Sequence, residues 1–300
     1  MNPALKNSFE IAVIGGGPAG ITAAAQATRI GADAALFERE KLGGLIRCAN
    51  LIENFPGFYG KDGAEAAEKL AEHARLVGVK VVGEKVKNVR PAPAGGFELE
   101  TESGIWHAKA VIVATGTHPH KIRIPGLKPK DVRYGIECTE KFSGRYVAII
   151  GGGDAALDQA LRLSKFAELV IVIARSGIKG LPLLVKRCAA AGVEFREDEI
   201  VSGERIKGAY TLYMKHGKYL ADALFAFIGR EPNIDALSME IRHTLPQGDG
   251  EISIRSGVPG LYFAGDIIAG NRRYLSVAVG TGMLAAIEAI GYVKGLERRP

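Results

Sequence analysis

Three hundred residues, 47% of them apolar, suffice for one large or two medium domains with substantial cores. The net charge of +6 comes largely from residues 80–87, 121–130 and 205–218, expected as a solvated basic surface, and no nucleic-acid partner is expected. Cysteines at 48, 138 and 188 form no C-x-x-C, residues 1–10 carry no apolar leader, and no run approaches ~18 continuous apolar residues; a soluble cytoplasmic protein without a disulfide framework or membrane partner is expected.

In chain order, residues 9–14 predict a buried strand that breaks into Gly15-Gly16-Gly17-Pro18-Ala19-Gly20 and then into an alanine-rich helix over 18–30. Strand, glycine turn and helix start are the context a G-x-G-x-x-G match requires. Glycines let the backbone approach a pyrophosphate, whose charge sits against the free N–H groups of the helix N-terminus. A second strand at 34–37 ends in Glu38, 23 positions after Gly15 and close to the ~20-residue offset of a ribose-binding acid. A helix ending near Gly78 follows, and then two antiparallel strands around a turn at 91–96. Residues 146–150 repeat the strand and Gly151-Gly152-Gly153-Asp154-Ala155-Ala156 repeat the turn. Two such matches in one chain imply two dinucleotide sites and electron transfer between two cofactors. Cys188 falls in a helix-like run at 183–191, where it reads as a small core residue. The last helix is expected to begin near 277–280. The histidines show no ligand spacing beyond His118-x-His120, in a linker, and no metal is expected.

Several further stretches carry a resemblance. They are Gly43-Gly44 followed by Glu53-Asn54-Phe55-Pro56-Gly57; Ala114-Thr115-Gly116 after an apolar strand; Ile228-Gly229-Arg230-Glu231-Pro232-Asn233; residues 258–266 ending Phe263-Ala264-Gly265-Asp266; and residues 273–282. In this order they resemble the low-molecular-weight thioredoxin reductases, flavoproteins of the pyridine nucleotide-disulfide oxidoreductase type. The resemblance implies an α/β fold of two Rossmann-like, three-layer ββα dinucleotide-binding domains, the second inserted into the first. The FAD-binding domain would be 1–117 plus 235–300, the NAD(P)H-binding domain 118–234, and the assembly a homodimer. It also implies the flavin contacts: Gly15, Gly17, Pro18, Ala19 and Gly20 at the pyrophosphate, Glu38 at the ribose, and Gly44, Asn54, Ala114, Thr115, Gly116, Gly265, Asp266, Arg273, Tyr274 and Leu275 around the rest. Where the family has Arg-Gln, this chain has Arg273-Tyr274.

The second fingerprint departs further. Counting 23 positions from Gly151 reaches Ala174, followed by Arg175. The acid that marks NAD is missing and a cation follows, which favours a 2′-phosphate and hence NADPH over NADH. Gly151, Gly153, Asp154, Ala155 and Ala156 are the expected nucleotide contacts, with Arg175 and Lys179 in place of the family's three arginines. The family's C-A-T-C dithiol stretch here holds one cysteine, Cys138, and one thiol cannot form the intramolecular disulfide of a two-electron relay. The expected activity is electron transfer from NADPH through FAD to an external acceptor, a small molecule or an acidic ferredoxin-like protein. The alternatives are disulfide reduction through another cysteine arrangement, with Cys138 the candidate catalytic residue, and a non-enzymatic nucleotide-binding protein.

Overall fold

In the computed structural model, which describes residues 7–135, 140–246 and 251–295, the first apolar run becomes β1 (Ser8–Ile14). Gly17 then caps α1 (Pro18–Arg29), with Pro18 at a first-turn position where its missing N–H costs nothing. β2 (Ala34–Phe37) returns parallel to β1. Asp62 caps α2 (Gly63–Val77) by accepting from Glu65 N–H (2.8 Å), and Gly78 ends it in the left-handed conformation. β3 (Lys80–Val82) adds in parallel to β2. β4 (Asn88–Pro91), β5 (Phe97–Glu100) and β6 (Ile105–Val113) form an antiparallel meander whose last strand pairs in parallel with β1.

The chain continues through β7 (Thr117–Pro119) and β8 (Val132–Arg133) to a second strand-turn-helix, β9 (Tyr146–Ile150) and α3 (Asp154–Leu163). β10 (Leu169–Ile173), α4 (Pro182–Ala190) and β11 (Glu194–Arg196) follow. β12 (Ile200–Ile206), β13 (Ala209–Met214) and β14 (Gly217–Ala221) form an antiparallel three-stranded sheet, and β15 (Ala223–Ala226) completes a parallel five-stranded sheet in the order β11-β10-β9-β15-β8. Strand alternation divides the core in two. Val147, Ile149, Val170 and Val172 face α3 and α4, while Ala148, Ile171 and Ile173 face Tyr210, Leu212 and Met214 of the antiparallel sheet. A strand buried on both faces needs a continuous apolar run rather than alternation, and both fingerprint strands have one.

β16 (Arg230–Pro232) pairs with β7, and α5 (Met239–Arg242), β17 (Leu261–Phe263) and α6 (Leu275–Val293) follow. β17 pairs in parallel with β6, completing a seven-stranded sheet on the path β3-β2-β1-β6-β5-β4. Ile11, Val13, Leu36, Ala110 and Ile112 face α1 and α6; Ala12, Ile14, Phe37, Val111 and Val113 face Val89, Phe97, Leu99 and Leu237 on the other side. Two units result: Met1–Arg47 with Ile52–His118 and Pro232–Pro300, and Cys48–Leu51 with Pro119–Glu231. Each is an α/β Rossmann-like layering of helices, parallel sheet and antiparallel strands.

Two sequence expectations change. α6 begins at Leu275, two residues earlier than expected, with Tyr274 as its N-cap. It also spans 19 residues at a mean hydropathy of 1.5, long and apolar enough to cross a membrane by length and composition. Its apolarity has another use in this fold. Ala278, Gly282, Ala285, Ala286 and Ala289 form a buried stripe facing the alanines of α1, and a Cβ at Gly282 would collide with the Ala19 carbonyl. A sequence scan for uninterrupted apolar runs misses this helix, because Ser276, Thr281 and Glu288 break the run.

Gly282→Ala should therefore destabilise the first unit by about 1–3 kcal/mol through overpacking. Gly280→Ala, where a Cβ meets nothing within 4 Å, should be neutral or stabilise by roughly 0.5–1 kcal/mol through helix propensity. Urea unfolding of the two variants beside the parent checks the contrast.

Candidate functional site

The first fingerprint is held open by contacts that only glycine allows. Gly15 has φ +104°, and a Cβ there would collide with the Ala114 carbonyl; a Cβ at Gly20 would collide with the Gly15 carbonyl. The helix thus starts directly on the strand end. At Gly17 a Cβ would meet nothing within 4 Å, so the space beside the helix start is empty of protein. No side chain caps α1, and its first-turn N–H groups point to that space. The donor set suits a phosphate, with the helix dipole adding to it.

Glu38 stands at the end of β2 and closes one side of this cradle. Its Oε2 accepts from Gly16 N–H (2.6 Å) and its Oε1 from Glu40 N–H (2.8 Å). Gly43 N–H donates to Gly16 C=O (2.7 Å), and a Cβ at Gly44 would lie 3.0 Å from Gly17 Cα, so the Gly43-Gly44 turn rests on the fingerprint. Gly265, φ +78°, approaches Ala19 Cβ, and its N–H donates to Thr281 Oγ1 (2.9 Å), which sets Asp266 beside the first turns of α6. Tyr274, half exposed, caps α6 through its backbone only, leaving a second helix start without a side-chain cap, followed by Leu275. Arg273 is partly buried before it. The Ala114-Thr115-Gly116 turn is clasped by Asn233: Thr115 Oγ1 donates to its carbonyl (2.6 Å) and Asn233 N–H to Gly116 C=O (2.9 Å). Gly15, Pro18, Ala19, Gly20, Glu38, Gly44, Ala114 and Gly265 are therefore gathered in one place. Asn54 is exposed in a separate turn. Sequence reading missed Thr281 and the engagement of Glu38 with the fingerprint's own backbone; a hydroxyl on an otherwise small-residue helix face was the available signal for the first.

The second fingerprint repeats these bonds residue for residue. Gly15 N–H donates to Phe37 C=O and Gly151 N–H to Ile173 C=O, both at 2.9 Å; Gly43 N–H donates to Gly16 C=O and Lys179 N–H to Gly152 C=O, both at 2.7 Å. Position 174 thus occupies the place of position 38, and it is a buried alanine. Gly153, like Gly17, caps its helix without a side chain and would place a Cβ in open space. Asp154 Oδ1 accepts from Leu181 N–H (2.7 Å), tying the 175–181 loop to the start of α3 beside Ala155 and Ala156. Arg175 and Lys179 are both exposed on that loop.

Cys188 is fully buried and its thiol donates to Leu157 C=O (3.3 Å); burial pushes its pKa up, which suits a core residue and not a nucleophile. Cys48 belongs to a short segment held by α3: Cys48 C=O accepts from Gln159 Nε2 (2.7 Å), and Asn50 N–H donates to Asp158 (3.0 Å), whose carboxyl burial raises above its usual range. Cys138 lies outside the described residues.

The chain resembles known proteins in both sequence and fold. A family model described as pyridine nucleotide-disulphide oxidoreductase matches residues 9–282. A thioredoxin reductase of Peptoclostridium acidaminophilum is 30% identical over 313 aligned residues, covering 97% of this chain and 98% of the relative; a "34.2 kDa protein in rubredoxin operon" of Clostridium pasteurianum is 28% identical, covering 97% and 99%. The crystal structure of Lactococcus lactis thioredoxin reductase matches with a TM-score of 0.84 at 26% identity, over 96% of this chain and 100% of that one.

Gly17→Ala separates cradle from scaffold. It should leave the apoprotein's stability within about 0.5 kcal/mol, as a substitution into open space does. With this cradle read as a flavin site, affinity for FAD should fall by roughly tenfold or more, because the added methyl enters the open space beside the start of α1. Flavin fluorescence titration beside thermal unfolding measures both.

Proposed function

The chain belongs to the pyridine nucleotide-disulphide oxidoreductase family, and from that premise we propose that it is an NADPH-dependent flavoprotein passing electrons to an acceptor outside the chain. The homologues are oxidoreductases of thioredoxin reductase type, and the fold is theirs. This chain has no C-x-x-C pair for an internal dithiol step.

The residues present fit a flavin dinucleotide at the first fingerprint. Gly15, Gly17 and Gly20 leave room for a pyrophosphate at the bare start of α1, Glu38 offers a carboxylate at the ribose position, and Asp266 with the α6 start supplies polar groups further along. FAD, when bound, supplies a two-electron acceptor for hydride from the nicotinamide and a donor to the next partner. The protein's share is placement and charge: α6 directs its unsatisfied N–H groups outward from Tyr274, where they favour negative charge. In the second unit Gly151, Gly153 and Asp154 to Ala156 form the corresponding cradle, and Arg175 and Lys179 give the loop beside it positive charge suited to a 2′-phosphate.

The observation that carries the dithiol-free reading is the cysteine inventory. Three cysteines at 48, 138 and 188 include no C-x-x-C, and Cys188 is sequestered in the core of the second unit. Electrons then pass directly to an external acceptor. A net charge of +6 suits an acidic, ferredoxin-like carrier, and the relative named for a rubredoxin operon favours a small redox protein. A cytoplasmic homodimer is part of the same reading, on family likeness.

Anaerobic titration with NADPH should bleach the visible flavin absorbance stoichiometrically; an unbleached flavin overturns the proposal. In turnover, ferredoxin should be reduced faster than thioredoxin, and Cys138→Ser should keep that rate. Thioredoxin reduction abolished by Cys138→Ser would establish disulfide chemistry instead. Arg175→Ala should raise KM for NADPH by about tenfold, the worth of one charge-assisted hydrogen bond, and leave KM for NADH within about twofold.

A further inference from the structure

The repeated backbone bonds extend to the third strand of each unit. Glu38 N–H donates to Val82 C=O (3.0 Å), and Ala174 N–H to Arg196 C=O (2.9 Å). Residue 83 therefore corresponds to residue 197. In the first unit a glycine follows the third strand and the acid stands at the end of the second strand; in the second unit the second strand ends in alanine and Glu197 follows the third.

Glu197 lies against the loop that bears the two cations. A Cβ added at Gly177 would sit 3.3 Å from Glu197 Oε2 and 3.8 Å from Oε1. Gly177 lies between Arg175 and Lys179, and its carbonyl presses on Gly152 of the fingerprint. The Glu197 side chain is exposed, and no hydrogen bond or ion pair engages its carboxylate among the described residues. Its neighbours differ. Asp198 accepts from Glu199 N–H, His216 N–H and His216 Nδ1, and Glu199 pairs with Lys215 (2.5 Å). Glu199 is held below the usual carboxylate range first by Lys215 and, more weakly, by Arg175, which places the Arg175 charge at this end of the sheet.

We propose that Glu197 is a specificity-determining residue of the second nucleotide site, offering an acceptor to a ribose 2′-hydroxyl and opposing a 2′-phosphate, so that the site takes NADH as well as NADPH. The acid absent from position 174 is supplied from the neighbouring strand, and it acts against Arg175 and Lys179. A like charge near the phosphate weakens binding of the 2′-phosphorylated form alone, since the unphosphorylated ribose only gains an acceptor. The inference rests on reading this fingerprint as the NAD(P)H site.

Calorimetric titration of the full chain with 2′,5′-ADP and 5′-AMP tests it without reference to the flavin. Glu197→Gln should tighten 2′,5′-ADP by about threefold to tenfold at low salt, the scale of one partly screened charge, and leave 5′-AMP unchanged or weaker. Glu194→Gln, at the opposite end of β11, should leave both as in the parent. In turnover the NADPH-to-NADH ratio of kcat/KM should rise in Glu197→Gln through KM and not through kcat. An unchanged affinity ratio, or an equal rise in Glu194→Gln, overturns the proposal. Failure of the underlying site is distinct: the parent would then bind neither fragment.

Discussion

At the start of the first unit's first helix the backbone of a strand, its turn and the helix meet without a side chain between them. In the first unit the Gly15 carbonyl lies where a Gly20 side chain would be, and the Ala114 carbonyl where a Gly15 side chain would be. This packing brings α1 onto the sheet at the angle that leaves its first N–H groups free beside Gly17. The seating of Gly265 on Ala19, the approach of α6 at Gly282 and the engagement of Gly16 by Glu38 all follow from that one placement. A methyl group at Gly20 would disturb the site and the core together.

The backbone bonds of the turn appear twice, and their repetition separates scaffold from chemistry. Bonds that fix the turn recur at matching positions and nearly equal lengths in the two units. The side chains that would meet a ligand do not recur. Glu38 carries a carboxylate to the first turn; Ala174 is buried at the corresponding place, and charge enters from Arg175, Lys179 and Glu197 instead. The third fingerprint position is glycine in one unit and Ala156 in the other, where the Ala156 methyl lies 3.6 Å from the place a Gly151 side chain would take. Backbone geometry holds both cradles, and a few side chains at the strand ends distinguish them.

The layered α/β organisation was legible because both fingerprint strands are continuous apolar runs ending in glycine, a pattern fixed by burial on two faces. The strand ending at Glu38, the turn at 91–96 and the core character of Cys188 followed from local rules of the same kind. The start of α6 was less legible, since a helix start without a capping side chain leaves no local mark. The length of its apolar stripe was hidden by Ser276, Thr281 and Glu288, which sit among small residues chosen for close helix contact. Glu197 could not be read at all. Its relation to the 175–179 loop depends on the parallel pairing of β10 and β11, and sequence spacing does not encode which strand ends lie side by side.

The discontinuity of the first unit governs when it can form. β6 lacks its partner β17, and α1 lacks α6, until residues 261–293 have been made. The inserted strands and helices between β8 and β15 precede them in synthesis and can pair among themselves as they emerge. A ribosome-bound chain therefore exposes the alanine face of α1 throughout translation of the insert, with the Thr281 hydroxyl and the Gly265 turn still to come. Long-range closure of this kind is slow and leaves apolar surface open to association. In a chain that folds as it is made, the glycine turn at its beginning would be among the last parts to close.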